Sequence, residues 1–457
     1  MKLYKLQKLQ QKRQFVAGRF IVGIDPAKAK HEAQILDTDG LPVGSSFSFV
    51  TSYSGFNERL WRQLQSRLPA TLAELPRQKL IDHLVFAVEA SCNLWPTLVD
   101  YLEVQHGRVV MVSPLATCHA RPAKSGDFSR TDTKDAFLIA DLARQGTFQF
   151  REGYTSEQEA MHRLAITYDK LRKDLQRCRA RLRAQVEVLF PEFAKLLKLN
   201  SLTARHLLGR YLTPDDFLGL DLQRETAALM LLSREQHGRR TLLELQALAR
   251  HSIGVRLQPA ERTAQRVTMD SWLVMIEALE TEISRVSEEL IELARATPYH
   301  ASIASLKGVS DLLAALFIAE LRDPSRYPRP KQIERMAGYT LHVCDSGKYR
   351  GRRRITHLGN ARLRWILYLM ASETSKYVPE IRGKYLRRRL AGHTNRQKNL
   401  VAVIPQLLAL LIALMRDGRR YEERPEMVAE AERLEAVLER RKKQRRQSLG
   451  RIRDAAA

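Results

Sequence analysis

Four carboxylates are spaced through the first third of this 457-residue chain: Asp25, Glu89, Asp132 and Asp135. Brought to one point they would repel strongly unless a divalent cation neutralised them. All-oxygen ligation of this kind suits Mg²⁺, or Mn²⁺ in its place, rather than zinc. Phosphodiester displacement is the natural use, because two such ions roughly 3.5–4 Å apart stabilise both the attacking and the leaving oxygen. Far downstream a lone serine stands in a basic loop, Ser346-Gly347-Lys348. A serine hydroxyl is a weak nucleophile without a base, a lowered pKa or a metal, and no histidine adjoins this one to activate it. The residues alone therefore read the loop as phosphate-binding first and nucleophilic second. Gly347 lets the backbone approach a phosphate, and Lys348, Arg350, Arg352, Arg353 and Arg354 would offset its charge. From Cys344 to Arg364 there are seven Lys and Arg and one acid, Asp345.

The elements that must position the acids are legible from apolar patterning. Phe20-Ile-Val-Gly-Ile-Asp25 reads as a buried strand ending in an acid, followed by strand-like runs 31–38 and 44–51 joined at an Asp39-Gly40 turn. Residues 54–68 have helical spacing, His83-Leu-Val-Phe-Ala-Val-Glu89 is a second apolar strand ending in an acid, and 108–112 is another strand. The order β-β-β-α-β-α-β predicts a ribonuclease H-like sheet, with acids at the ends of two neighbouring central strands. Residues 130–143 form a strong helix pattern on which Asp132 and Asp135, three apart, share a face. Taken singly, any of these acids is an ordinary turn or cap residue, and Asp132 a first-turn acid favoured by the helix dipole. It is the four in this order that predict a metal pocket. Asp141, Glu32, Asp37 and Asp39 are expected to be surface charges.

Beyond residue 150 the pattern is helical. Residues 156–189 and 270–296 are charged, Leu-rich and free of Gly and Pro, with Leu279, Ile283, Val286, Leu290 and Ile291 near heptad spacing. They predict the arms of an antiparallel coiled coil with a small helical insert at 190–262, used either for assembly or as a hairpin within one chain. Leu306-Lys307-Gly308-Val-Ser310 before the helical run 311–321 resembles a helix-hairpin-helix, in which backbone N–H groups meet phosphate. An ordinary inter-helix turn fits the pattern nearly as well. The segment 360–370 reads as a helix with Leu363, Ile366, Leu367 and Met370 inward, Trp365 in packing, and Arg362 and Arg364 outward beside Asn360 as nucleic-acid contacts. The organisation expected is a basic extension 1–19, an α/β catalytic domain 20–150, a coiled-coil region 151–300, a mostly α-helical domain 301–424 and a basic helical tail 425–457.

With 76 Lys and Arg against 51 Asp and Glu, the formal net charge is +25, which attracts polyanions at long range and points to nucleic acid. A membrane surface is the competing anion, yet no apolar run of about 18 residues and no signal-peptide core are evident, so no membrane partner is expected. Cys92, Cys118, Cys178 and Cys344 lack CxxC spacing and suit a reducing compartment. The expectation is a soluble protein, cytoplasmic or nucleoid-associated. Basic runs at residues 1–19 and 440–446, with Arg382, Lys384, Arg387, Arg388 and Arg389, would add salt-sensitive phosphate contacts.

The whole chain resembles the insertion sequence 110 family of DEDD transposases, the group that includes RNA-guided bridge recombinases. The resemblance rests on Val22-Gly-Ile-Asp25, Glu89-Ala-Ser91 and Arg130-Thr-Asp-Thr-Lys-Asp-Ala136, then on Leu306–Ser310, Ala319–Pro324, Met336-Ala-Gly338, Asp345-Ser-Gly-Lys348, Arg353–Asn360 and Arg362-Leu-Arg364. It implies a RuvC-like ribonuclease H fold for the first domain, with Mg²⁺ (or Mn²⁺) held by Asp25, Glu89, Asp132 and Asp135. It implies Ser346 as the nucleophile of a phosphoserine–DNA intermediate in a C-terminal transposase domain. Donor and target DNA, a guide RNA transcribed from the element, and a homo-oligomer (a dimer pairing into a tetramer) in a prokaryote are the implied partners and setting. Two other readings stay open at this stage: a RuvC-like nuclease or Holliday junction resolvase in which water attacks, and a non-catalytic nucleic-acid-binding scaffold.

Overall fold

A computed structural model describes residues 3–91, 94–125, 131–151, 153–346, 349–355 and 358–456. The chain divides into two units, 1–153 and 154–457.

The first unit is a six-stranded mixed sheet covered on both faces. After helix α1 (Leu3–Val16) come β1 (Phe20–Asp25), β2 (Lys30–Leu36) and β3 (Phe47–Val50), then α2 (Leu60–Gln65), β4 (Leu84–Glu89), α3 (Pro96–Val104), β5 (Arg108–Val112), α4 (Pro114–Ser125), α5 (Asp132–Arg144) and a short β6 (Gln149–Phe150). Strand order is β3-β2-β1-β4-β5-β6, with β1/β4 and β4/β5 parallel and the other pairs antiparallel. This is the β-β-β-α-β-α-β order expected, extended by the edge strand β6. The turn after β2 is held by Asp37, whose Oδ1 accepts from the N–H groups of Asp39, Gly40 and Leu41. That carboxylate ends β2 at Leu36, short of the predicted residue 38. Residues 54–68 are less regular than their spacing suggests, a π turn (Gly55–Arg59) preceding α2. A side chain at Gly55, the first residue of that turn, would collide with the Val50 carbonyl.

Strand alternation decides which side chains meet the helices. Val22, Ile24, Phe86 and Val88 enter one core with Leu60, Trp61, Leu98 and Leu102. Ile21, Val85, Ala87 and Val110 enter the other, beneath Leu138, Ile139 and Ala143 of α5. Asp25 and Glu89 continue the second series, at the carboxyl ends of adjacent parallel strands. Gly23 lies between Ile21 and Asp25 on that face, and α5 crosses directly over it. A Cβ there would overlap the Ala136 carbonyl oxygen and lie 2.6 Å from the Ala140 nitrogen.

Among the described residues, the second unit is helical apart from one hairpin. Long helices α6 (Ser156–Leu189) and α7 (Pro259–Arg295) run antiparallel: Met161 shares a core with Leu290, Arg179 pairs with Glu280 at 2.6 Å, and Gln185 bonds to Gln265. Capping boxes at Thr155 and Gln258 start them, so α7 begins eleven residues before its expected start. Between them, short helices pack around Phe190, Phe193 and Phe217. The rest comprises α8 (Asp311–Leu321), α9 (Pro330–Met336), the β7 (Leu341–Ser346) and β8 (Tyr349–Ile355) hairpin, α10 (Ala361–Tyr377), α11 (Pro379–Leu390), α12 (Arg396–Asp417) and α13 (Pro425–Ala456). Contrary to expectation, α12 is long and apolar enough to span a bilayer by length and composition. Pro405 and Gln406 break up its apolar run in the sequence. Its Leu400, Val403, Ile404, Leu407, Leu408 and Leu411 are buried against the domain's other helices, the place of a core helix.

Candidate active site

Asp25 and Glu89 close adjacent strands, and the charges of Glu89, Asp132 and Asp135 all act on Asp25. Thr131 caps α5 by accepting from the Lys134 N–H, which sets Asp132 and Asp135 in its first turn, and the Gly23 crossing lowers that turn onto Asp25. Asp25 registers the convergence directly. Burial, and then the charges of Glu89, Asp135 and Asp132, push its carboxyl up to about 7 from 3.8, with Arg121 opposing. Surplus negative charge on oxygen donors alone fits a divalent cation of the Mg²⁺ class.

The coordination sphere is not assembled, however. Among the described residues no three His, Cys, Asp or Glu side chains stand close enough to hold one ion. Two acids are engaged elsewhere, both by α4. The Arg121 guanidinium brings Nε and Nη2 to Asp135 Oδ1 at 2.9 and 2.8 Å, and the Thr117 hydroxyl donates to Glu89 Oε1. Sequence patterning passed over both residues. Their signal was a Thr and an Arg four apart on the helix that leaves the strand beside Glu89. One acid was misjudged: Asp141, expected at the surface, is 3% exposed and bonds Arg144 and Gln145. Buried to this degree, a carboxylate needs partners.

The serine lies in the second unit. Residues expected to form a loop are instead a two-stranded antiparallel hairpin, in which Ser346 ends β7 and pairs with Tyr349 across an irregularity at Asp345. Arg350, Arg352, Arg353 and Arg354 are on β8, a strand hidden from sequence reading by its run of arginines. Gly347 and Lys348 fall outside the described residues.

Both ends of the hairpin are fixed to the domain. The Tyr339 hydroxyl donates to the Arg364 carbonyl, and the Asn360 N–H to the Met336 carbonyl. Asn360 also caps α10, accepting from Arg362 and Leu363, while its amide donates to Glu320. Glu320, fully buried near the end of α8, takes the Arg362 Nε at 2.5 Å. The expectation that Asn360, Arg362 and Arg364 face outward is thus corrected. Arg362 neutralises a buried carboxylate that the Asn360 amide also hydrogen-bonds, and Arg364 Nη1 donates to the Ala337 carbonyl. Gly308 (φ +89°) packs against Glu373 and Tyr377, and the exposed Lys307 pairs with Glu423 at 2.7 Å. Arg382 and Arg387 pair with Glu435 and Glu430 of α13. Trp365 packs as expected, beneath the Arg172 guanidinium. Glu320→Ala should cost about 3 kcal/mol by stranding Arg362, with Glu320→Gln costing less. Urea denaturation measures both, and equal, small losses would deny the carboxylate this anchoring role.

Residues 22–191 match the family model DEDD_Tnp_IS110, described as a transposase, and residues 300–386 match the model of the transposase IS116/IS110/IS902 family. The chain is 26% identical over 414 residues to the "Insertion element IS116 uncharacterized 44.8 kDa protein" of Streptomyces clavuligerus, covering 89% of this chain and 97% of that one. It is 26% identical over 324 residues to the insertion element IS110 43.6 kDa protein of Streptomyces coelicolor, covering 65% and 73%. With the insertion element IS900 42 kDa protein of Mycobacterium paratuberculosis it shares 25% over 410 residues, covering 87% and 96%. The first match contains all four acids and the second contains Ser346.

Proposed function

The chain belongs to the IS110 family of DEDD transposases, and from that premise we propose that it cleaves and exchanges DNA strands with a carboxylate metal site and a serine nucleophile. The observation that carries this reading is the convergence of Glu89, Asp132 and Asp135 on Asp25. These four acids would hold Mg²⁺, which supplies charge neutralisation at the scissile phosphate and at the oxygens entering and leaving it. Ser346 Oγ attacks phosphorus. A serine–phosphate ester forms as the bond to the leaving deoxyribose oxygen breaks; the serine's proton passes to solvent and the leaving oxygen is protonated. A deoxyribose hydroxyl of the second duplex then reverses the step and frees the serine. Because the ester conserves the phosphodiester's energy, no nucleotide cofactor is required.

The net charge of +25 supports binding of donor and target DNA, and of a guide RNA transcribed from the element. Exposed Val267 and Val274 stand one heptad apart on α7 with Met275 beside the second, which supports pairing between copies into a dimer and, in the synapse, a tetramer. One observation favours a second reading. All four acids lie within residues 1–153, so metal-activated water could cleave DNA without Ser346.

Incubation with element-derived RNA, cognate DNA and Mg²⁺ separates the two. A covalent protein–DNA adduct mapping to Ser346, and absent from Ser346→Ala, is expected. Cleavage that persists undiminished in Ser346→Ala would establish the water-activating nuclease instead.

A further inference from the structure

We infer that α4 is a working part of the metal site: Thr117 positions Glu89 as a ligand, and Arg121 is an internal counter-ion on Asp135 that the divalent cation must displace. This rests on the metal-site reading above and adds the residues that tune it. Thr117 and Arg121 are four apart and therefore on one face of α4. That helix starts directly after β5, the strand paired with β4, and the Ala90 N–H bonds to the Val112 carbonyl. One face of α4 is thereby laid across the end of β4, where it meets two of the four acids.

The two contacts differ in kind. Thr117 is 1% exposed, and its hydroxyl lies between Glu89 Oε1 and the Pro114 carbonyl 2.9 Å away. It is a buried donor with a charged acceptor, the arrangement that fixes a ligand's orientation in an outer shell. Arg121 places two guanidinium nitrogens on the single oxygen Asp135 Oδ1, with side-chain exposures of 16% and 18%. It supplies positive charge in the field of four carboxylates, the same service a divalent ion performs. The two are therefore competitors for Asp135. This accounts for acids close enough to perturb one another yet not gathered into a ligand set. Ion entry exchanges the guanidinium for the metal at Asp135 while Thr117 keeps Glu89 in place.

The consequence is that two substitutions one helical turn apart move metal affinity in opposite directions. Mg²⁺ and Mn²⁺ are titrated calorimetrically into the full-length protein without nucleic acid, with Asp25→Asn as the control that assigns the heat to this site. Arg121→Gln should bind roughly tenfold tighter or better, since a cation at contact distance is removed, whereas Arg121→Lys should stay near the parent. Thr117→Val should bind roughly tenfold weaker, and Thr117→Ser should restore affinity. General damage to the fold would weaken binding in both variants and cannot produce the tightening. Parent-like or weaker binding by Arg121→Gln, with the parent still binding, overturns the counter-ion role. Parent-like binding by Thr117→Val overturns the positioning role. Absence of binding in every variant, Arg121→Gln included, overturns the metal-site reading itself.

Discussion

Asp25→Asn is expected to lose strand cleavage while making the metal-free protein more stable at pH 8. Both effects come from one carboxylate held against its own electrostatic preference. Its ordinary value of 3.8 applies to the unfolded chain, and burial among Glu89, Asp135 and Asp132 raises it to about 7 in the fold. Between those values the folded protein keeps a proton that the unfolded chain has released. Stability therefore falls as pH climbs through that window and stays at the lower level above it. Asparagine escapes this loss. The variant's advantage is absent below the ordinary carboxylate value and complete above pH 7, about 1–2 kcal/mol once solvent screening of a half-buried group is allowed for. Catalysis moves the other way, because the amide cannot replace an anionic metal ligand. Losing it should cost on the order of 10³-fold in rate, equivalent to about 4 kcal/mol at the transition state. Thermal melts in chelator at pH 4 and pH 8, with a cleavage assay in Mg²⁺, measure both. Mg²⁺ should raise the melting temperature of the parent at pH 8 and leave the variant's unmoved. Retained cleavage would remove Asp25 from the reaction, and a lower melting temperature at pH 8 would deny the repulsion.

The acids were legible in sequence because each closes a segment whose period is unmistakable. Val22, Ile24, Phe86 and Val88 alternate with Ile21, Gly23, Val85 and Ala87, so two strand ends and the faces of Asp25 and Glu89 follow from alternation alone. Asp132 and Asp135 were equally plain, on a helix with apolar Leu138, Ile139 and Leu142. What alternation cannot convey is which charge faces which. Arg121, Arg362 and the arginines of β8 look alike in a basic sequence. Yet Arg121 sits on Asp135, and Arg362 on a buried glutamate forty-two residues away. Reading Arg362 as outward missed its pairing with Glu320, because nothing in the spacing of the two residues announces it. The hairpin carrying Ser346 was missed for a similar reason: Tyr349–Ile355 contains four arginines, and cross-strand pairing overrides their weak strand preference.

Gly23→Val should unfold or misplace α5, and with it half of the acid set. Parallel strands buried on both faces normally carry branched side chains, so a glycine within Phe20–Asp25 marks a close backbone approach. Here α5 lies so close over β1 that a Cβ would overlap the Ala136 carbonyl oxygen and press on the Ala140 nitrogen. Ala136 is one turn from Asp132, and Gly23 is two residues from Asp25 on the same face, so this contact fixes the separation of the acids. Even Gly23→Ala should cost about 3 kcal/mol through overpacking, and the larger valine more. The obstruction is backbone rather than side chain, so trimming Ala140 to glycine should not rescue it. Urea denaturation gives the stability, and calorimetric Mg²⁺ titration at a temperature where the variant remains folded gives the geometry. A folded Gly23→Ala protein that binds Mg²⁺ like the parent would show that α5 can rise from the sheet without parting the acids, and the crossing would lose its role as the element that builds the site.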